Sequence, residues 1–150
     1  MKHKSFAQEN CPIARSLNVV GEWWTFLILA EAFSGVSKFA DFQRRLGIAR
    51  NILTVRLKQL VEDGILQLEN TSGRRFEYVL TEKGRDLIYT LVGLSQWGSK
   101  WLFPSGRPSP RLVDKQDLLE LAQLEIRSRN GRILSNNDVE FLRVQSKYQK

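Results

Sequence analysis

The sequence predicts an α+β chain that is mainly α: a run of helices, a β-hairpin, a long C-terminal helix and a small appended segment. Three observations predict it. Apolar residues recur at spacings of three and four through much of residues 17–61 and again through 87–101, the period of helices packed on one side. Between these stretches lie two short strand-like runs, Ile65-Leu66-Gln67-Leu68-Glu69 and Phe76-Glu77-Tyr78-Val79-Leu80, joined by Thr71-Ser72-Gly73. At 150 residues the chain has the length for one domain with an appendage, and can bury a core without disulfides or metals.

Taken in order, Met1 to Asn10 is polar and reads as a mobile arm, residues 1–10. Pro12 suits the first turn of a helix that carries Leu17 and Val20. Gly21 divides this helix from a second, Glu22 to about Phe33, which Ser34-Gly35 ends. Phe39, Phe42 and Leu46 mark a short helix stopped by Gly47. Ile48 leads into another, with Leu53, Leu57, Leu60 and Val61 on its apolar side and Asp63-Gly64 as its stop. Two short helices joined by a turn containing glycine have the shape of a helix-turn-helix, and the hairpin that follows makes it winged. Thr81 is placed to cap one further helix through Leu87, Ile88, Leu91, Leu94, Trp97 and Trp101, closed by Pro104. The winged domain therefore spans 11–103. Ser105 to Pro110 holds two prolines and a glycine, so 104–111 reads as a linker. In the extension, 112–150, Asn130-Gly131 signals a small β-hairpin, while Asp117 to Ile126 reads equally well as helix.

Charge and composition narrow the function. The chain carries 23 Lys and Arg against 16 Asp and Glu, a net +7, of which residues 1–60 contribute +5. Lys38, Arg44, Arg45, Arg50, Arg56 and Lys58 are opposed within 38–58 only by Asp41, a basic field that attracts phosphate backbones. One Cys and one His exclude a four-ligand zinc site and an intrachain disulfide. There is no Gly-rich phosphate loop and no credible His-based triad, so neither an enzyme nor a cofactor is expected. The longest apolar run, Trp23 to Ala30, is far short of the ~20 residues a membrane helix needs. No signal peptide opens the chain, so a cytoplasmic protein without membrane contact is expected.

Several motifs in order carry a resemblance: Cys11-Pro12-Ile13, Gly21, Trp24-Thr25, Leu27-Ile28-Leu29, Phe39-x-x-Phe42-Gln43 and Gly47-Ile48. They continue with Leu53-Thr54-x-Arg56-Leu57-Lys58-x-Leu60, Gly64, Tyr78-x-Leu80-Thr81-x-x-Gly84 and Trp97-Gly98. Over 11–103 the chain resembles the HxlR-type winged helix-turn-helix transcriptional regulators. Two departures stand out: Trp23 where a basic or polar residue is common, and Ala49 where a Ser often caps the recognition helix. The resemblance implies a homodimer joined through its first and last helices, bound to double-stranded DNA at an inverted repeat, with repression ahead of activation. The effector is left unknown, and the region after Pro104 lies outside the likeness.

The residues themselves assign the contacts. At 100° per residue, Leu53, Leu57 and Leu60 face the core, leaving Asn51, Val55 and Lys58 opposite, with Arg50 and Thr54 flanking near the helix start. Asn51 suits adenine and Arg50 guanine, each pairing worth ~1–3 kcal/mol of discrimination. Lys38, Arg44, Arg45 and Lys58 suit phosphates, which position without specifying. Arg56 suits either DNA or an intramolecular pair. Arg74 and Arg75 stand at the hairpin tip, within reach of a minor groove or a phosphate. Leu87, Leu91, Leu94, Trp97 and Trp101, with Ile13 and Leu17 on the first helix, are the expected dimer seam. Tryptophans at helical spacing serve as core or interface before they serve as a ligand cage. In some members of the family a Cys at the position of Cys11 senses oxidants or electrophiles; the alternative is a small buried hydrophobe. A winged module that binds protein instead of DNA is the rival reading of the whole chain.

Overall fold

The computed structural model describes residues 5–73, 75–103 and 111–142. Arg74 and residues 104–110, which include most of the expected linker, lie outside the described residues, as do 1–4 and 143–150. The chain divides into two compact units, Met1–Leu91 and Val92–Lys150.

The first unit opens with α1 (Pro12–Val20), α2 (Trp23–Phe33), α3 (Phe39–Leu46) and α4 (Arg50–Glu62). Proline begins α1, where its missing N–H costs nothing, and Gly21 separates α1 from α2. Gly47 ends α3 at φ 62°, a left-handed conformation that favours glycine, and its N–H closes on the Gln43 carbonyl. That turn redirects the chain from α3 into α4. The hairpin follows as β1 (Leu66–Asn70) and β2 (Phe76–Leu80), antiparallel with Leu66 opposite Leu80 and Asn70 opposite Phe76. The Tyr78 N–H also donates to the Ser37 carbonyl at 2.8 Å, tying the segment before α3 to the hairpin. Ile28, Leu29, Phe42, Leu53, Leu57 and Leu60 are fully buried and, with Ile65 and Leu66, form one core that presses helices and hairpin together.

One expectation is corrected. The helix foreseen from Thr81 to Pro104 is two helices, α5 (Glu82–Arg85) and α6 (Ile88–Trp101). Thr81 does cap α5, accepting from the Gly84 N–H at 3.0 Å, while its hydroxyl donates to the Gly64 carbonyl at 2.7 Å. Gly84 is buried so tightly that an added Cβ would stand 2.2 Å from the Ile65 carbonyl oxygen. Pinned this way against the root of the hairpin, α5 stops after one turn. Leu87 then bonds back three residues to Gly84, and the helical ladder resumes from Leu87 to Leu91.

The division between the units falls within α6. In the second unit, β3 (Ile126–Arg127) and β4 (Ile133–Leu134) pair antiparallel about Asn130-Gly131, the hairpin that the Asn-Gly pair signals. The alternative helix over Asp117 to Ile126 does not form; Val113 and Glu120 make an isolated antiparallel bridge instead. No helix among the described residues is long and apolar enough to cross a membrane.

Candidate nucleic-acid interface

The second helix of the helix-turn-helix, α4, has two unlike sides. Leu53, Leu57 and Leu60 are buried in the core, whereas Arg50, Asn51, Thr54, Val55 and Lys58 are all exposed. The helix starts on Ala49, whose extended backbone (φ −61°, ψ 136°) suits a cap but whose side chain makes no capping hydrogen bond. Its first N–H groups thus point outward without an intrahelical partner, as helix starts do. The Thr54 hydroxyl donates to the Arg50 carbonyl at 2.8 Å, leaving its methyl and an acceptor lone pair outward. The Arg50 guanidinium lies over the Phe39 ring, 5.7 Å from its centroid. Stacking of this kind holds an arginine in place without consuming its hydrogen-bond donors.

The expected phosphate contacts are tethered by carboxylates. Arg44 pairs with Asp41 one turn earlier, and Lys58 with Glu62 at 3.6 Å one turn later. Arg45 reaches Glu31 on α2 at 3.2 Å. Lys38 lies 4.0 Å from Glu77, which also accepts from the Ser37 hydroxyl at 2.9 Å. All four cations are exposed, while Glu31, Asp41 and Glu77 are partly covered. The Lys58–Glu62 pair, exposed on both sides, is worth ~0–1 kcal/mol, so a phosphate can replace that carboxylate at little cost. Arg56 differs from them. It is mostly covered, and it pairs with Glu22 at 2.9 Å.

On the wing, the Asn70 amide donates to the Gly73 carbonyl at 3.1 Å and closes the loop, with Arg75 exposed and without an ion pair among the described residues. The companion candidate, Arg74, lies outside the described residues. Of the residues expected in a dimer seam, Ile13, Leu17, Leu94, Trp97 and Trp101 are exposed, whereas Leu87 and Leu91 pack partly against the core of their own unit. Trp24 joins that core too, while Trp23 is 90% exposed. Cys11 is exposed at the N-cap of α1, not buried as a small hydrophobe.

Sequence reading missed the stacking partner Phe39 and the holding carboxylates Glu22, Glu31 and Glu77. Only the pairs one turn apart, Asp41 with Arg44 and Lys58 with Glu62, leave a trace in sequence spacing. The others join separate elements, and their spacing along the chain carries no signal.

Comparison with known proteins places this arrangement. The profile of the HxlR-like helix-turn-helix family matches residues 19–105. An uncharacterized HTH-type transcriptional regulator of Mycobacterium tuberculosis, Rv3095, is 48% identical over 99 residues, 64% of this chain and 63% of that protein. The matched part thus spans just under two thirds of that relative's length. The crystal structure of PA1607, described as a candidate transcription factor, is 39% identical with a TM-score of 0.88, covering 94% of this chain and all of that one. Its likeness therefore runs beyond the winged domain into the C-terminal extension. The redox regulator HypR in its oxidized form is 31% identical with a TM-score of 0.56, over 60% of this chain and 96% of that one.

Proposed function

The chain belongs to the HxlR-like helix-turn-helix family, and from that premise we propose that it is a transcriptional regulator that binds double-stranded DNA as a homodimer. Each subunit lays α4 in a major groove of one half-site of an inverted repeat, with the wing on the flanking backbone. The observation that carries this reading is the outward, mostly polar face of α4: Arg50, Asn51, Thr54, Val55 and Lys58 project from a helix whose other side is locked into the core. Asn51 and Arg50 read bases, Val55 offers an apolar contact to a thymine methyl, and Lys38, Arg44, Arg45, Lys58 and Arg75 hold phosphates. Arg56 serves the fold through Glu22. Repression is the sense proposed, on the family resemblance alone.

Two apolar surfaces support the dimer: Ile13 and Leu17 on α1, and Leu94, Trp97 and Trp101 along α6, all exposed. Cys11 is proposed as an oxidant sensor, supported by its exposure at the N-cap of α1 and by the likeness to a redox regulator. Two Cys11 thiols, one from each subunit, would lose two protons and two electrons to an external oxidant such as diamide and form one intersubunit disulfide. Footprinting on the DNA flanking the protein's own gene tests the main reading. Protection of two symmetric half-sites is expected; no protection at low salt, where electrostatic binding is strongest, would leave the protein-binding module as the better account.

A further inference from the structure

In the described part of the second unit, 92–103 and 111–142, one apolar side chain is buried, Val92. Polar contacts give the segment its order. The Gln96 amide donates to the Ala122 carbonyl at 2.8 Å, and its oxygen accepts from the Leu124 N–H at 2.8 Å and from the Gln123 amide at 3.1 Å. The β3–β4 hairpin adds two residue pairs, and a two-stranded hairpin is marginal by itself in water. Arg111, Arg127 and Arg132 are paired within the segment, to Glu120, Glu125 and Asp138. Beside exposed polar groups such as Lys115 and Arg129, the segment also turns large apolar side chains outward: Leu118, Leu119, Phe141 and Leu142 are 66–84% exposed. Leu118 even holds a left-handed backbone, φ 59°, a conformation disfavoured for a bulky residue, and its side chain is 72% exposed among the described residues.

We infer that residues 111–142 form an arm that packs against a second copy of this chain. Exposed leucines, with three of the segment's five arginines and lysines held in ion pairs, fit a protein surface better than a polyanion. The site of attachment selects which protein. Leu124 reaches within 3.6 Å of where a Cβ on Gly93 would stand, and Gly93 is about 40° around α6 from Trp97. The arm thus borders the exposed stripe of Leu94, Trp97 and Trp101, and a subunit seated on that stripe lies beside it. The 32 residues of 111–142 are chain enough to supply a share of the roughly 20–30 residues a side that a stable interface uses. A two-fold axis gives each subunit's arm the same surface on its partner. The inference rests on the homodimer proposed above.

The test uses the full-length chain with Leu118→Asp and Phe141→Asp together. Asp tolerates the left-handed position better than Leu, so the change removes apolar surface without straining the turn. Sedimentation equilibrium is expected to show the dimer dissociation constant raised at least tenfold, with the wild-type melting transition of the first unit retained. An unchanged dissociation constant overturns the arm while leaving the dimer standing. A wild-type chain that is monomeric at micromolar concentration overturns both. Hydrogen exchange on the wild type gives a readout without substitution: amide protection within 111–142 should rise with protein concentration, and protection independent of concentration overturns the arm.

Discussion

The Arg56 guanidinium, on the helix proposed to read DNA, bonds the carboxylate of Glu22 at the N-cap of α2 at 2.9 Å, so this cation braces the helix from behind. The side chain is only 25% exposed, and its Nε is buried without a hydrogen-bond partner among the described residues.

Replacing it should therefore affect the fold more than the DNA. Arg56→Met is expected to lower stability by about 1 kcal/mol, between the near-zero worth of exposed pairs and the cost of breaking buried ones. Urea unfolding measures the loss, and the salt dependence of DNA binding should stay as in wild type. Intact stability with weakened DNA binding would mark Arg56 as a contact.

Gly84 meets a steric limit. Alanine would gain up to ~1 kcal/mol of helix propensity, but its Cβ would lie 2.2 Å from the Ile65 carbonyl oxygen and 3.2 Å from Leu80 Cδ2. Overpacking against backbone costs ~1–3 kcal/mol or more, so Gly84→Ala is expected to destabilise by about 2 kcal/mol net. A melting temperature equal to wild type would show that the hairpin root yields.

Ala49 offers the opposite sign. Its backbone is already extended, so Ala49→Ser supplies the missing cap oxygen and should stabilise the chain by ~0.5–1 kcal/mol in thermal unfolding. Slower amide exchange should appear at the start of α4.

The order of elements was legible because each boundary has local chemistry: Pro12 at a helix start, Gly47 and Gly64 at helix stops, Gly73 in a hairpin turn. The outward side of α4 was legible for the same reason, since Leu53, Leu57 and Leu60 declare the inner side. The break between α5 and α6 was not. It depends on the fit of Gly84 beneath the Ile65 carbonyl, a contact between residues nineteen apart that periodicity does not encode. The carboxylates that restrain Arg45, Arg56 and Lys38 were hidden for the same reason.

Tyr78 gives a pH dependence. Its ring meets Phe42 edge-on at 6.4 Å, and burial raises its phenol above the ordinary 10.0. Between 10.0 and that raised value the unfolded chain has lost the proton and the folded chain keeps it. The stability linked to Tyr78 is thus fully present below pH 10 and falls as pH rises through the window. Tyr78→Phe should flatten the decline in urea stability as pH rises above 10.0. A slope identical to wild type would contradict the assignment.

The central claim, that α4 reads bases while the wing grips backbone, is tested most directly by DNA affinity followed across salt. Fluorescence anisotropy with the footprinted operator and a scrambled duplex would compare wild type, Asn51→Ala and Arg75→Ala. Asn51→Ala should lose ~1–3 kcal/mol on the operator alone, whereas Arg75→Ala should weaken both duplexes and reduce the salt slope by about 1. If Asn51→Ala leaves discrimination between the two duplexes untouched, or if wild-type binding does not weaken as salt rises, the account is wrong.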